Sequence, residues 1–440
     1  METQSTQPHG NKPSIWLVLT VLLPAAIAFA ILYRQQFSLP YQDDYKVILD
    51  FANGYSQLRD VPAKILDVAT KQNNDYKLGF EHSIVAIEFD LTGHLDFAFL
   101  VTLGNLFLLA ILYVLWRIYR REEIELNRQL IEFIPVSLLF FSLTYWESLD
   151  WAMAGLQNLP VILFSLLAIY SLIPRSGANL HPSMLLLSCI WAVLSCFSSA
   201  NGFLLGPVGL LILLYRRAFA EAVAWCASFV IPLAAYLYHY KPYYVSVGTI
   251  HGGSLIGKAF YFFVFLGCAI HRPSVAALTG IFVAMVFALA LRARFDRVNP
   301  TAFYSTLWIV LTAGLVGALR QNTASRYSIY SLLALIFCYS FLAQYVPDRI
   351  PFLNAKRFYA VSIVLALCFF LLSNKQANLH LKERREMVLA GMEHYRANPE
   401  INSPTINPEV AKYYPDEPAS DRVILNKSVQ QKVYTVPASQ

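Results

Sequence analysis

Long apolar runs separated by short polar stretches dominate the chain between residues 14 and 373. The runs fall at 14–33, 96–116, 132–145, 158–173, 184–200, 203–215, 222–238, 274–291, 303–319, 328–346 and 358–373. A helix needs about 20 apolar residues to cross a hydrocarbon core about 30 Å thick. Several runs are shorter, which predicts tilted or partly buried helices. A further stretch, 258–271, is apolar but short. Counted as a span, it would carry Arg292, Arg294 and Arg297 to the side opposite the other basic clusters, so it is read as re-entrant or lying in the outer interface. The expectation is an all-α polytopic membrane protein with about 11 transmembrane helices and no fixed-period repeat.

The polar stretches set the orientation. Arginine and lysine gather at 117–128, 216–217, 292–297 and 349–357, and basic loops stay in the cytoplasm. This predicts a cytoplasmic N-terminus (1–13), a transmembrane domain (14–373) and an extracytoplasmic tail (374–440). Outer loops then fall at 34–94, 146–157, 201–202, 239–257 and 320–327. Loop 34–94 carries Val47, Ile48 and Phe51 at helical spacing, a second amphipathic stretch opening at Pro62, and a third, FEHSIVAIEFDL, leading into the second span. Short helices with one apolar face suit a membrane surface. Residues 375–397 have helix-forming composition. The proline-rich stretch beyond them reads as extended or loosely ordered, with no chemistry assigned.

Composition narrows the classes. Only 14% of residues are charged, against about 25% in soluble domains. The net charge of +6 sits in loops between apolar runs, so it does not indicate nucleic-acid binding. All six cysteines fall inside apolar runs, away from any loop that could hold a disulfide framework or zinc site. The first run, preceded by Lys12, has no small-residue cleavage site and reads as an uncleaved span.

Ionisable groups are nearly absent from the interiors of the runs. Ion-coupled transporters place such groups near the bilayer midplane, so transport is not the first reading. Polar residues gather instead at the outer ends. Asp43 and Asp44 can supply a general base, one of them holding a divalent cation or acceptor, or one can simply cap the following helix. Arg320 and Arg326, the latter followed by Tyr327, flank a polar turn and suit bidentate phosphate binding, or they snorkel to lipid headgroups. Glu81 and His82 offer an acid, a base or a metal ligand, or are structural. Trp146, Glu147, Asp150, Trp151 and Gln157 can form a sugar platform or an aromatic belt. Asn201 joins the same face, or marks a tight turn with Gly202.

An acidic pair soon after the first span, in an outer loop of juxtamembrane helices, resembles the GT-C superfamily of integral membrane glycosyltransferases. The fragments WESLDW, SSANG and SRY look like motifs of uncharacterised bacterial multispan proteins with this layout. The resemblance implies a GT-C-like fold and a donor sugar linked to polyprenyl phosphate. It implies a glycan, lipid or protein acceptor, a setting among membrane lipids, and an active site facing the periplasm from a bacterial inner membrane. Asp43 or Asp44 would be the base, and Arg326 with Arg320 would hold the lipid phosphate. A divalent cation (Mg or Mn) on Asp44 stays open. No Walker or dinucleotide-binding glycine motif occurs, as suits a lipid-phosphate leaving group. A flippase of lipid-linked saccharide and a non-catalytic envelope-assembly scaffold are the alternatives.

Overall fold

The computed structural model describes residues 13–121, 124–174, 179–242, 254–319, 324–345, 354–397 and 417–437. Apart from turns and one short hairpin, 72–73 with 76–77, they are helical. α1 (Ile15–Gln35) leads into a loop holding a π-helical turn (Tyr45–Leu49), α2 (Asp50–Tyr55), α3 (Val61–Thr70) and α4 (Gly79–Thr92). The bundle continues with α5 (Phe97–Tyr119), α6 (Leu126–Phe140), α7 (Ala152–Leu172), α8 (Pro182–Ser198) and α9 (Leu205–Tyr215). Next come α10 (Phe219–Ser228), α11 (Val230–Leu237), α12 (Leu255–Gly267) and α13 (Pro273–Arg292). The remainder are α14 (Phe295–Val298), α15 (Pro300–Leu319), α16 (Ser328–Tyr345), α17 (Ala355–Ala397) and α18 (Glu417–Gln430).

Among the described residues, eight helical stretches are long and apolar enough to cross a membrane: α1, α5, α7, the α10–α11 pair, α13, α15, α16 with the turn before it, and α17. Their outward faces leave Trp16, Leu278, Met285, Leu365 and Leu372 exposed, as an integral membrane protein does toward lipid. Inside the bundle, hydroxyls tie helices together: Ser137 Oγ donates to the Val21 carbonyl (2.6 Å) and Ser188 Oγ to that of Ala168 (2.8 Å). The runs at 132–145, 184–200 and 203–215 form the shorter helices α6, α8 and α9. α6 starts six residues before its run and takes in Glu132, which is fully buried because Arg121 (2.5 Å) and Arg128 (2.9 Å) bracket its carboxylate. α10 and α11 are separate because Pro232 has no N–H for the Ser228 carbonyl.

α12, which overlaps the short apolar stretch at 258–271, has 13 residues and is about 20 Å long. Its first turns meet α15 near Gly317, while the Cys268 and Leu266 carbonyls accept hydrogen bonds from Ser328 and Ser331 at the start of α16 (both 2.8 Å). It crosses α13 at backbone contact: a Cβ on Gly280 would lie 1.9 Å from the Phe263 carbonyl oxygen, and one on Gly267 1.9 Å from that of Ala276. Small residues allow such approaches between membrane helices. Gly280→Ala is therefore expected to cost about 1–3 kcal/mol by overpacking, read as a lower melting temperature in detergent. Gly314→Ala, whose Cβ would meet nothing within 4 Å, should leave the melt unchanged or raise it. Equal melts for both variants would show that the two backbones do not touch at this crossing.

The chain does not break at 374. α17 runs unbroken for 43 residues, about 65 Å, so its second half leaves the bundle and packs on the loop between α1 and α5. The expectation of a loose tail needs correcting for its last part. Leu425, Val433 and Tyr434 are buried against that loop, the Leu95 amide donates to the Val433 carbonyl (2.8 Å), and Tyr434 Oη donates to the Ser38 carbonyl (2.9 Å). Residues 398–416 lie outside the described residues. A second apolar core thus forms at the loop end of the bundle from the loop, the start of α7, the end of α17 and the C-terminal segment.

Candidate functional site

The start of α7 organises this end of the molecule. Trp151 precedes the helix and offers no side-chain cap to it, leaving the first amides to find partners elsewhere. Asp44 supplies one from more than a hundred residues away: its Oδ1 accepts from the Met153 amide and its Oδ2 from the Tyr41 amide, both at 2.9 Å. The cap expected of Asp43 or Asp44 therefore exists, but on a different helix from the one that follows it. The Trp151 indole N–H approaches the same carboxylate without reaching hydrogen-bond geometry. Burial raises Asp44 to about 8, against the pull of the two amide bonds. Asp43 is only half-buried and lies within electrostatic reach of Asp44, Glu81 and Arg326.

Around this clip sits a nested set of cations, acids and rings. Arg326, in the turn before α16, lays its guanidinium 5.3 Å from the ring centres of both Trp151 and Tyr327. Its backbone amide donates to Glu147 Oε2 (3.1 Å). Tyr41 meets Trp151 edge-on at 5.6 Å. Arg384, from the second half of α17, binds Asp150 Oδ1 (2.6 Å), faces Glu147 Oε1 at 3.8 Å, and lies 4.5 Å over Tyr41 and 4.3 Å over Trp146. Such charge-assisted pairing with ring stacking is characteristic of arginine. Burial pushes Asp150 up to about 7, with Arg384 pulling it back and Glu147 pushing it further up. His380, one turn before Arg384, stacks on Trp146 (5.1 Å, 18°).

Glu81 and His82 belong to α4 on the loop side. Glu81 is fully buried, and neither carboxyl oxygen has a hydrogen-bond partner among the described residues. Burial, then the charges of Asp44 and Asp43, hold it well above the usual carboxylate range. His82 is equally buried, stacked on Phe51 (4.2 Å, 13°), and burial lowers it to about 3. Its ring is neutral and packed as a core residue. Asn201 Nδ2 donates to Tyr330 Oη (2.9 Å), and its carbonyl accepts from the Trp308 indole (3.2 Å). The adjoining Gly202 leaves no room for a side chain, because a Cβ would meet the Ser195 carbonyl at 2.4 Å. Gln157 is half-buried within α7. Arg320 lies outside the described residues.

Among the described residues no group of three or more metal-ligating side chains comes together. Asp44, the residue proposed for a cation, has both oxygens committed to backbone amides.

Arg384 and Tyr41 were not singled out in the sequence. Arg384 sits in the charged run HLKERRE, within the stretch 375–397 whose composition predicts a helix. A signal was nonetheless present: Ala377, Leu381, Arg384, Val388, Met392 and Tyr395 recur at helical spacing, and all are buried. A cation on the apolar stripe of a helix requires a partner.

The carboxyls set a pH response. The native state holds a proton on Glu81 that the unfolded chain releases above its ordinary value of 4.5, and Asp44 does likewise between 3.8 and about 8. Their contribution to stability is full below those ordinary values and is lost as pH rises toward the folded ones. Glu81→Gln removes one of these slopes. The variant's melting temperature relative to wild type is expected to climb from pH 5 to pH 8. A constant difference over that interval would mean that Glu81 is ionised in the folded protein.

No family description, curated protein or solved structure matches this chain.

Proposed function

We propose that this chain is an integral membrane glycosyltransferase of the GT-C kind, working at the outer face of a bacterial inner membrane. In this reading α6, α8 and α9 complete eleven spans, and the loop between α1 and α5 faces the periplasm. The observation that carries the proposal is the gathering of Asp43, Asp44, Glu81, Glu147, Asp150, Arg326 and Arg384, from four distant parts of the chain, at one end of an apolar bundle. A structural clip alone accounts for Asp44 and Met153. It does not account for a buried glutamate without a hydrogen-bond partner among the described residues, or for a guanidinium held over two rings beside that clip.

The roles divide by environment. Asp43, half-buried, is the general base, while Asp44 is a positioning residue that fixes the loop to α7. The donor is a sugar on polyprenyl phosphate. Asp43 takes the proton of the acceptor hydroxyl, the oxygen bonds to the anomeric carbon, and the bond from that carbon to phosphate oxygen breaks. The lipid phosphate leaves with the electron pair. Arg326 meets the negative charge that grows on it, and Trp146 and Trp151 offer aromatic faces to the sugar. Arg384 positions Glu147 and Asp150. No step requires a metal.

The test compares lipid extracts and envelope glycans by mass spectrometry in cells with and without the protein. A polyprenyl-phosphate sugar is expected to accumulate without it, and one glycan, lipid or protein to lose a sugar. Unchanged glycans in the cells lacking the protein would remove the transferase reading. Movement of a lipid-linked saccharide across the membrane by purified protein, with no glycosidic bond formed, would favour a flippase instead.

A further inference from the structure

The far end of the bundle carries a second concentration of charge that the proposed transferase does not use. α7 starts in the acidic cluster and, after 21 residues, ends at a cavity of about 990 Å³ lined by Ser171 and Ile173. α16 likewise starts beside Arg326 and ends at Gln344 in the same wall. Twenty residues of helix span about 30 Å, so the two places lie on opposite membrane surfaces.

We propose that this cavity binds the phosphate group of an anionic ligand. Five arginines line it, from three separate parts of the chain: Arg117, Arg120 and Arg121 at the end of α5, Arg216 after α9, and Arg297 in α14. Among the described residues Asp296 is the one carboxylate of the lining, and it already pairs with Arg294 at 3.2 Å. Glu132 answers Arg121. Arg117 directs its two terminal nitrogens at the phenols of Tyr113 (2.9 Å) and Tyr170 (3.1 Å), which hold the guanidinium in place without neutralising it, and its buried Nε has no partner among the described residues. Among the described residues a positive balance therefore remains around the cavity.

Topology alone puts arginines on one side of a membrane. It does not gather them around a concavity, and arginines that only snorkel splay outward to separate headgroups. The volume lies at the upper end of the usual range for ligand sites, and guanidinium forks match phosphate oxygens bidentately. A lipid headgroup of the adjoining leaflet and a water-soluble phosphate ester share that chemistry.

The experiment uses the full chain with two probes. Inorganic pyrophosphate binding is measured by equilibrium dialysis in a neutral detergent. Retention of phosphatidylglycerol over phosphatidylcholine is measured by native mass spectrometry from nanodiscs containing both. The test variant is Arg120→Gln with Arg297→Gln, both exposed and so removable without repacking. The control is Arg292→Gln with Lys356→Gln, which removes two charges from the same end but outside the cavity lining. The test pair is expected to weaken binding of at least one probe by about tenfold or more, with the control near wild type. Cavity-dependent pyrophosphate binding identifies a soluble phosphate ligand; cavity-dependent retention of phosphatidylglycerol alone identifies a headgroup. Should the glutamine pair melt below wild type, Arg120→Lys with Arg297→Lys replaces it, keeping charge but not the fork, and a several-fold weakening is expected. Binding of neither probe, or equal weakening by test and control pairs, overturns the proposal.

Discussion

Replacing Arg384 with alanine is expected to lower stability by about 3–5 kcal/mol, the usual result of removing one partner from a buried pair. The side chains of Arg384 and Asp150 are 6% and 4% exposed, so water does not screen what is left behind. The variant also strips a cation from over Tyr41 and Trp146 and frees the second half of α17 from the start of α7. Without the guanidinium, Asp150 must take up a proton to stay buried, so the loss should be larger at pH 8 than at pH 5. Thermal melts in detergent at the two pH values measure this. Arg384→Ala combined with Asp150→Asn should cost less than the sum of the single changes. Additive losses, or an alanine variant melting with wild type, would show that the pair does not hold the two helices together.

The second large effect separates two adjacent carboxylates. Asp43→Asn is expected to slow sugar transfer by about 10²–10⁴-fold, the usual contribution of a positioned base, while lowering the melt less than Asp44→Asn does because Asp43 is only half-buried. Asp44→Asn should do the reverse. One of the Tyr41 and Met153 amides keeps an acceptor oxygen and the other faces an amide group, which costs about 1–3 kcal/mol of stability. Its effect on rate should follow from misplacing the loop, appearing in both KM and kcat. Both variants are compared for initial rate with the lipid-linked donor and for melting temperature. Should Asp44→Asn alone abolish transfer while melting normally, Asp44 would be the base and Asp43 would have no part in the proton transfer.

Much of the fold was legible in the chain. The apolar runs at 14–33, 96–116, 158–173, 274–291, 303–319 and 328–346 became helices within a few residues of their predicted ends at most termini, because apolar length is itself the physical requirement. α6 begins six residues before the 132–145 run, because Arg121 and Arg128 neutralise Glu132 and let the helix carry it inside the bundle. The 358–373 run and the helix-forming stretch 375–397 join into one helix, because the charges after 373 end the apolar run but not the helix.

The candidate site was legible in part. Counting alternate spans predicted that Asp44, Glu147 and Arg326 share one face, and they lie together around the start of α7. Their partners were not legible. That Asp44 caps a helix more than a hundred residues away, that Arg384 enters the cluster from the tail, and that His82 is a stacked core residue all depend on which helices touch.

By itself, the sequence determined that this is a helical membrane protein and which residues stand at the ends of its helices, because burial of apolar length in lipid is a local property read residue by residue. The tertiary structure decided which acids are clipped, which are paired and which are left without partners. Those outcomes follow from desolvation and hydrogen bonding, and both depend on neighbours that the chain brings together only when it folds.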